Sequence, residues 1–293
     1  MTIIPGKTIA NNILESIKNE ILKEGLKPVL KIYFIGDDIG SAKYIELKVK
    51  RGSEVGVEVI VDKFDNDVEI STLSDIIIKD AIDSNIDGMI IQLPFKNPEI
   101  KELYKLIPVS KDVDGLNPMS LGLLWQNDEY VLIPATAKAI VKSLEYVAFQ
   151  SKISLKEMLK GKNCLIVNRS LIIGKPIASV LLQNDATVTI AHSKSENFQE
   201  LISRSEIIIS ATGKTGFLNS FTFPQNAIVI DAGFNINDGK VLGDLLVDEE
   251  FGKGVSYLSS VPGGVGPIGV ACLLENTLIA TKKNLTTIST DLA

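Results

Sequence analysis

The chain of 293 residues is 45% hydrophobic and carries a formal net charge of −6, enough apolar mass for one large or two modest domains. Its lysines and arginines are scattered, without the basic patch that nucleic-acid binding needs, and no apolar run reaches the roughly 18 residues of a membrane span. A single histidine, His192, nearly removes histidine-rich metal sites and Ser-His-Asp schemes, so no metal is expected. Cys164 and Cys272 sit in apolar contexts, where a small buried thiol is the ordinary outcome. They fit a reducing, cytoplasmic compartment. The opening "MTIIPGKTIANN" lacks the charged start and long apolar stretch of a signal peptide.

Apolar strands then alternate with helical patterns. Residues 29–36 read as a strand, and 41–54 as a helix with Ala42, Ile45 and Val49 as its buried stripe. Residues 57–64 form a second strand, Ile70 to Ala81 a second helix, and "GMIIQLP" at 88–94 a third strand. A segment rich in proline and charge, 97–118, interrupts the series. A long helix at 136–148 follows, with Thr136 as its cap and Ile140, Val141, Leu144 and Val147 as its stripe. After a polar stretch at 149–162 come strands at 163–168, 187–191, 206–211 and 227–233, with helices at about 174–183 and about 196–204. "VPGGVGP" at 261–267 is a glycine loop opening a last helix whose first position is Pro267. The expectation is an α/β protein of two lobes with mainly parallel sheets, an N-terminal substrate lobe and a Rossmann-like dinucleotide lobe, with a cleft between them. The last helix is expected to return to the first lobe.

The loop "NRSLIIGKP" leaves the first strand of the second series, where a dinucleotide fold puts its phosphate loop. Its spacing is Asn168, Ser170, Gly174. Asparagine tolerates the left-handed backbone better than other non-glycine residues, Ser170 is small, and Gly174 keeps the glycine that packs helix on strand. An ordinary strand-to-helix turn is the plainer alternative. The next strand ends in Ala191, His192, Ser193 and Lys194, with no acid to hold a ribose 2′-hydroxyl. With Arg169 in the loop, that favours NADP over NAD.

In the first lobe, Tyr44 and Lys48 lie one helical turn apart on one face, about 100° from Ile45. Gln92 ends the third strand, at the carboxyl edge where open α/β sheets bind ligands. "KDVDG" places Asp112 and Asp114 on a loop. Each feature alone has a bland reading, surface for the pair and turn chemistry for the loop. Together they permit a lysine of lowered pKa that moves protons, oriented by Gln92, and a carboxylate that grips an amino-pyrimidine edge through two hydrogen bonds.

"GDDIGSAKYIELKVKRGSEVG", "DGMIIQLP", "KDVDGLNP", "NRSLIIGKP", "TVTIAHSK", "VIDAGFN" and "VPGGVGPIGVACLLENT" occur in the order and spacing of one family. Over nearly its whole length the chain resembles the bifunctional methylenetetrahydrofolate dehydrogenase/methenyltetrahydrofolate cyclohydrolase family. The resemblance implies a folate-binding catalytic lobe from 1–138 plus 267–293 and an NADP-binding lobe from 139–266. Lys48 would be the principal catalytic residue, Tyr44 would position the folate ring, Gln92 would tune Lys48, and Asp114 would anchor the pterin. Leu93 and the loop of Pro262, Gly263, Gly264, Val265, Gly266 and Pro267 would border the folate. Asn168, Arg169, Ser170 and Gly174 would hold NADP, Ser193 its 2′-phosphate, and Phe234 would approach the nicotinamide. The implied reactions are NADP-dependent oxidation of 5,10-methylenetetrahydrofolate and hydrolysis of the methenyl product to 10-formyltetrahydrofolate, serving purine biosynthesis in a cytoplasmic homodimer.

Three departures stand out: Asn168 in place of the family's glycine, Ala135 and Ala137 within a usual Pro-Cys-Thr-Pro stretch, and Ile268-Gly269 in place of Met-Thr. They leave Tyr44, Lys48, Gln92 and Asp114 intact. A cyclohydrolase with weak or lost dehydrogenase activity, and a noncatalytic folate- or nucleotide-binding paralogue, are the alternatives.

Overall fold

A computed structural model describes the backbone of residues 1–237, 240–247 and 254–291, with side chains up to 284. In chain order the elements are β1 (Thr2–Ile3), α1 (Gly6–Glu24), β2 (Val29–Ile35), α2 (Ile39–Val55), β3 (Glu58–Phe64), α3 (Ile70–Ala81), β4 (Gly88–Gln92), α4 (Pro118–Trp125), α5 (Ala135–Gln150), α6 (Leu155–Leu159), β5 (Asn163–Val167), α7 (Gly174–Gln183), β6 (Thr187–Ala191), α8 (Phe198–Ser203), β7 (Ile207–Ser210), β8 (Ala227–Asp231), β9 (Asn235–Asn237), β10 (Lys240–Leu242), β11 (Val255–Ser259) and α9 (Val265–Asp291). Turns of 3₁₀ helix cover Pro98–Leu106, Val109–Lys111 and Phe217–Ser220. By contacts the chain divides into two compact units. One runs from Asn11 to Ala135 and takes α9 from Val270 on; the other joins Met1–Ala10 to Thr136–Gly269.

The first unit is built on a three-stranded sheet ordered β3-β2-β4, parallel throughout. Central β2 is buried along nearly its whole length, so it reads as an unbroken apolar run rather than an alternating one. The polar atoms it carries inside are paired: Tyr33 donates to Asp80 at 2.8 Å, and Lys31 meets Asp62 at 2.8 Å. Asp38 caps α2 by accepting from the Ser41 amide at 2.7 Å, so the helix starts two residues before the expected 41. Ile45 is buried, but Val49 is 39% exposed and is not part of the buried stripe. Its i, i+4 spacing from Ile45 drifts off the narrow face that β3 covers.

After β4 the chain turns through Asp112 to Asn117, and this turn is pinned from within. Asp112 is buried and accepts from the amides of Leu116 at 3.1 Å and Asn117 at 2.8 Å. Gly115 has φ +64°, and a Cβ there would press on the Pro134 ring. From α9, buried Asn276 donates to the carbonyls of Val113 and Ile133, both at 2.9 Å.

The second unit holds a six-stranded sheet ordered β1-β11-β8-β7-β5-β6, parallel throughout. β5 lies between β6 and β7, so successive connections leave it in opposite directions and create a switch point at its carboxyl end. Leu165, Val167, Ile208, Val229 and Leu258 form its core, edged by Phe198, Phe217 and Phe221. Buried Asp244 accepts from Ser210 Oγ and the Thr212 amide, both at 2.6 Å, and buried Asp231 accepts from the amides of Gly233 at 2.8 Å and Leu245 at 2.9 Å. These carboxylates replace ladder bonds where β7 and β8 end.

Several boundaries differ from the sequence-based ones. α5 begins at Ala135, so Thr136 lies inside it and is not its cap. The polar stretch after α5 contains α6, closed by a Ser154–Glu157 capping box. α9 begins at Val265, making Pro267 its third residue rather than its first, still within the turn whose amides need no helical partner. Replacing Asn276 with alanine removes the donor to the buried Val113 carbonyl and to the partly buried Ile133 carbonyl. We expect a loss of about 2–4 kcal/mol in unfolding free energy by urea denaturation, with α2 and the β2–β4 sheet in the same cooperative transition.

Candidate active site

In the first unit, three of the expected residues, Lys48, Gln92 and Asp114, converge beyond the carboxyl ends of β2 and β4, with Tyr44 one helical turn before Lys48. Tyr44 and Lys48 share a face of α2, which leaves β2; Gln92 ends β4; Asp114 lies on the turn after it. Because β3 and β4 flank β2 on opposite sides, this too is a switch point. Lys48 Nζ donates to Gln92 Oε1 at 2.7 Å. The other end of the carboxamide is committed, since Gln92 Nε2 donates to the Leu93 carbonyl at 2.7 Å, and Ser41 Oγ donates to the same carbonyl at 3.0 Å. Leu93 thus contributes its backbone oxygen, and that bond fixes which end of Gln92 faces the lysine. The Leu93–Pro94 peptide bond is cis.

Electrostatics follow from burial. Lys48 and Asp114 each retain some exposed surface as residues, yet their ionisable groups are strongly desolvated. Desolvation brings the Lys48 ammonium down to about 8, opposed by the attraction of Asp114. It pushes the Asp114 carboxyl up to about 6, against the pull of Lys48 and of a hydrogen bond from the Ala135 amide, with Asp112 adding repulsion. The Tyr44 phenol is raised by burial. An amine with such a pKa is partly neutral near pH 7 and can accept a proton, while its conjugate acid can return one. The departure at Ala135 does not remove the bond to Asp114, because that bond uses the backbone.

Sequence reasoning missed Ser41, Asn276 and Tyr104. Tyr104 lies in the 3₁₀ stretch, 8% exposed, its ring 6.4 Å from that of Phe95. Its buried hydroxyl has no hydrogen-bond partner among the described residues, and burial followed by the charges of Asp114 and Asp112 raises its pKa. No motif marks it; a tyrosine amid leucine and isoleucine looks like core.

In the second unit, the loop after β5 sits at that sheet's switch point. Asn168 does not use the left-handed region that asparagine tolerates; the non-glycine residues with positive φ are Asn127, Lys152, Asp185, Asn197 and Asn226 among those described. Its side chain shapes the turn. Asn168 Oδ1 accepts from the amides of Ser170 at 2.8 Å and Gly174 at 3.1 Å, and Nδ2 donates to the Ala211 carbonyl at the end of β7 at 2.6 Å. Gly174 must be glycine, because a Cβ would run into the Asn168 carbonyl oxygen. Arg169 is exposed. After β6, His192 and Ser195 close a turn, with the His192 amide donating to Ser195 Oγ at 3.0 Å, and Ser193 and Lys194 are exposed upon it. Phe234, 38% exposed, follows β8. Pro262 is exposed and Gly263, Gly266 and Pro267 partly so, while Gly264 and Val265 are buried. Ile268 is fully buried, and Gly269 faces open space.

Residues 4–114 match the model of the tetrahydrofolate dehydrogenase/cyclohydrolase catalytic domain, and residues 134–285 that of the family's NAD(P)-binding domain. The bifunctional protein FolD of Lactobacillus gasseri is 37% identical over 286 residues, covering 96% of this chain and 98% of its own. The crystal structure of the bifunctional FolD methylenetetrahydrofolate dehydrogenase/cyclohydrolase from Campylobacter jejuni superposes with a TM-score of 0.88 at 32% identity, covering 97% of this chain and 99% of that one. The Trypanosoma brucei FolD, solved with NADP and an inhibitor, has a TM-score of 0.87 at 26% identity, covering 97% of this chain and 98% of its own. This chain is therefore a member of the tetrahydrofolate dehydrogenase/cyclohydrolase family.

Proposed function

We propose that the protein oxidises 5,10-methylenetetrahydrofolate with NADP and hydrolyses the resulting 5,10-methenyltetrahydrofolate to 10-formyltetrahydrofolate, with Lys48 as the principal catalytic residue. The observation that carries the reading is the lysine pair itself, Lys48 on Gln92 at 2.7 Å, with an ammonium brought down to about 8 beside Asp114. In the hydrolysis, a water oxygen bonds to the methenyl carbon as one of its protons passes to neutral Lys48. The bond from that carbon to N5 then breaks, the other water proton ends on N5, and the formyl group stays on N10. One proton is released overall, and Lys48 returns it to solvent. Gln92 holds the amine by its carboxamide oxygen and so fixes the direction of its lone pair. Asp114 accepts from the amino-pyrimidine edge of the pterin, and Tyr44 lies one helical turn from Lys48, placed to bear on the folate ring.

When bound, NADP supplies the acceptor for the hydride of methylenetetrahydrofolate. The second unit fits such a group. Its loop stands at a switch point, Gly174 lets α7 pack directly against the Asn168 carbonyl, exposed Arg169 lies on the loop after β5, and the turn after β6 offers exposed Ser193 and Lys194 rather than an acid. Arg169, Ser170, Gly174, Ser193 and Phe234 keep the cofactor roles that the resemblance implies, Asn168 borders the cofactor as part of the same loop, and Pro262 to Pro267 keep the folate role. A cyclohydrolase with a weakened dehydrogenase is favoured by one observation, the occupation of loop amides by Asn168. We further propose a cytoplasmic homodimer whose formyl product serves purine biosynthesis, as the family resemblance implies. Light scattering at twice the 31.8 kDa chain mass checks the dimer.

Lys48→Ala is expected to cut hydrolysis of methenyltetrahydrofolate by about 10²–10⁴-fold with an unchanged circular dichroism spectrum; retained hydrolysis contradicts the assignment. Absorbance at 340 nm with methylenetetrahydrofolate and saturating NADP checks the oxidation. Asp114 fixes the sign of a pH effect. Its folded pKa of about 6 exceeds the ordinary value of about 3.9. Its contribution to stability is therefore present below about pH 4 and lost as pH rises through about 6. Thermal midpoints measured across that window should fall less steeply with rising pH in Asp114→Asn than in the wild type.

A further inference from the structure

A helix leaves its first four amides without helical partners, and a dinucleotide loop gives them to phosphate. At α7 each of those positions is accounted for. The Ile173 amide donates to Ser170 Oγ at 3.1 Å, the Gly174 amide to Asn168 Oδ1 at 3.1 Å, and the Lys175 amide to the Ser170 carbonyl at 3.0 Å. The fourth position is Pro176, which has no N–H. Within the loop, the Ser170 amide is also held by Asn168 Oδ1, at 2.8 Å. One neutral oxygen thus takes two amides that point inward at the switch point of the sheet. The orientation of the carboxamide is fixed, because Nδ2 faces the Ala211 carbonyl at 2.6 Å and a flipped amide would set donor against donor and acceptor against acceptor.

We propose that Asn168 sets the affinity of the cofactor site, its carboxamide oxygen occupying the seat of a dinucleotide phosphate oxygen, so that it must swing away before the phosphate can take the Ser170 and Gly174 amides. The inference rests on the reading of this loop as the dinucleotide loop. A glycine at 168 leaves those two amides open, whereas asparagine satisfies them in the free protein, so NADP gains less on binding. The bond from Nδ2 to Ala211 ties the same side chain across the switch point between β5 and β7, adding a contact that cofactor entry breaks. Affinity for the dinucleotide is lowered without any change in the residues that face its adenosine phosphate.

Two variants test this with opposite signs. Asn168→Gly vacates the seat and is expected to tighten NADP binding about tenfold, the worth of roughly one net hydrogen bond, by isothermal titration calorimetry, with KM for NADP falling in parallel and kcat changing less. Asn168→Asp keeps an acceptor in the seat and adds a negative charge, and is expected to weaken NADP binding. A merely structural asparagine predicts weaker binding in both variants together with a lowered thermal midpoint. Unchanged or weaker NADP binding by Asn168→Gly overturns the inference, and it does so alone if the wild type still reduces NADP with methylenetetrahydrofolate. If calorimetry finds no NADP binding to the wild type or to either variant, both the inference and the dehydrogenase reading fail.

Discussion

A lysine ammonium withdrawn from water and offset by one carboxylate is the constraint on which the first unit turns. Burying either charge alone costs several kcal/mol, and an imperfectly matched pair does not recover all of it. Both groups are therefore displaced toward their neutral forms, the amine downward and the carboxyl upward. This displacement is useful only if the geometry is fixed, and the surrounding bonds fix it. Gln92 is oriented by the Leu93 carbonyl, that carbonyl is also held by Ser41, and the Asp114 turn is held by Asp112 from within and Asn276 from α9. Asp112 and Asn276 hold backbone groups that would otherwise be buried without a partner. The result is an acid–base group at the carboxyl edge of a small parallel sheet, supported by regular elements on every side.

The second unit solves a similar problem with different atoms. Its sheet also has a switch point, and side chains again take the backbone groups left where strands end. Asp231 and Asp244 bind the amides beyond β8 and β7, and Asn168 binds those of the loop after β5. A preorganised loop of this kind is rigid before the cofactor arrives, which reduces the ordering cost of binding. It also holds amides that the cofactor would use. The balance between the two effects decides how strong the oxidation half of the activity is beside the hydrolysis half.

Much of this was legible in the sequence for reasons that can be stated. Parallel strands buried on both faces are long apolar runs, so β2, β4, β5, β7 and β8 stood out, and the 3.6-residue period placed Tyr44 and Lys48 on one face of α2. Gln92 and Asp114 were found because they end a strand and follow one. Other parts left weaker traces. β1 is two residues long and has meaning only through its pairing with β11, a contact between opposite ends of the chain. α1 is mostly polar between its spaced apolar positions, so its helical signal is weak. Val49 obeyed the helical spacing but lay beyond the width of the covering strand. Asn276 and Tyr104 act on residues more than 100 positions away or through burial alone, which no local pattern encodes. Asn168 was noticed as a departure from glycine, but its effect is carried by its carboxamide and not by its backbone.

The pKa of Lys48 reports on this arrangement, since it depends on burial and on Asp114 together. Its direct measurement is an NMR titration of the wild-type protein after ¹³C reductive methylation of its lysines, with Lys48→Arg used to assign the resonance. The account predicts a Lys48 midpoint near the value of about 8. A midpoint at the ordinary lysine value of about 10.4 would contradict it, because an amine that stays fully protonated near pH 7 could not accept a proton from the attacking water.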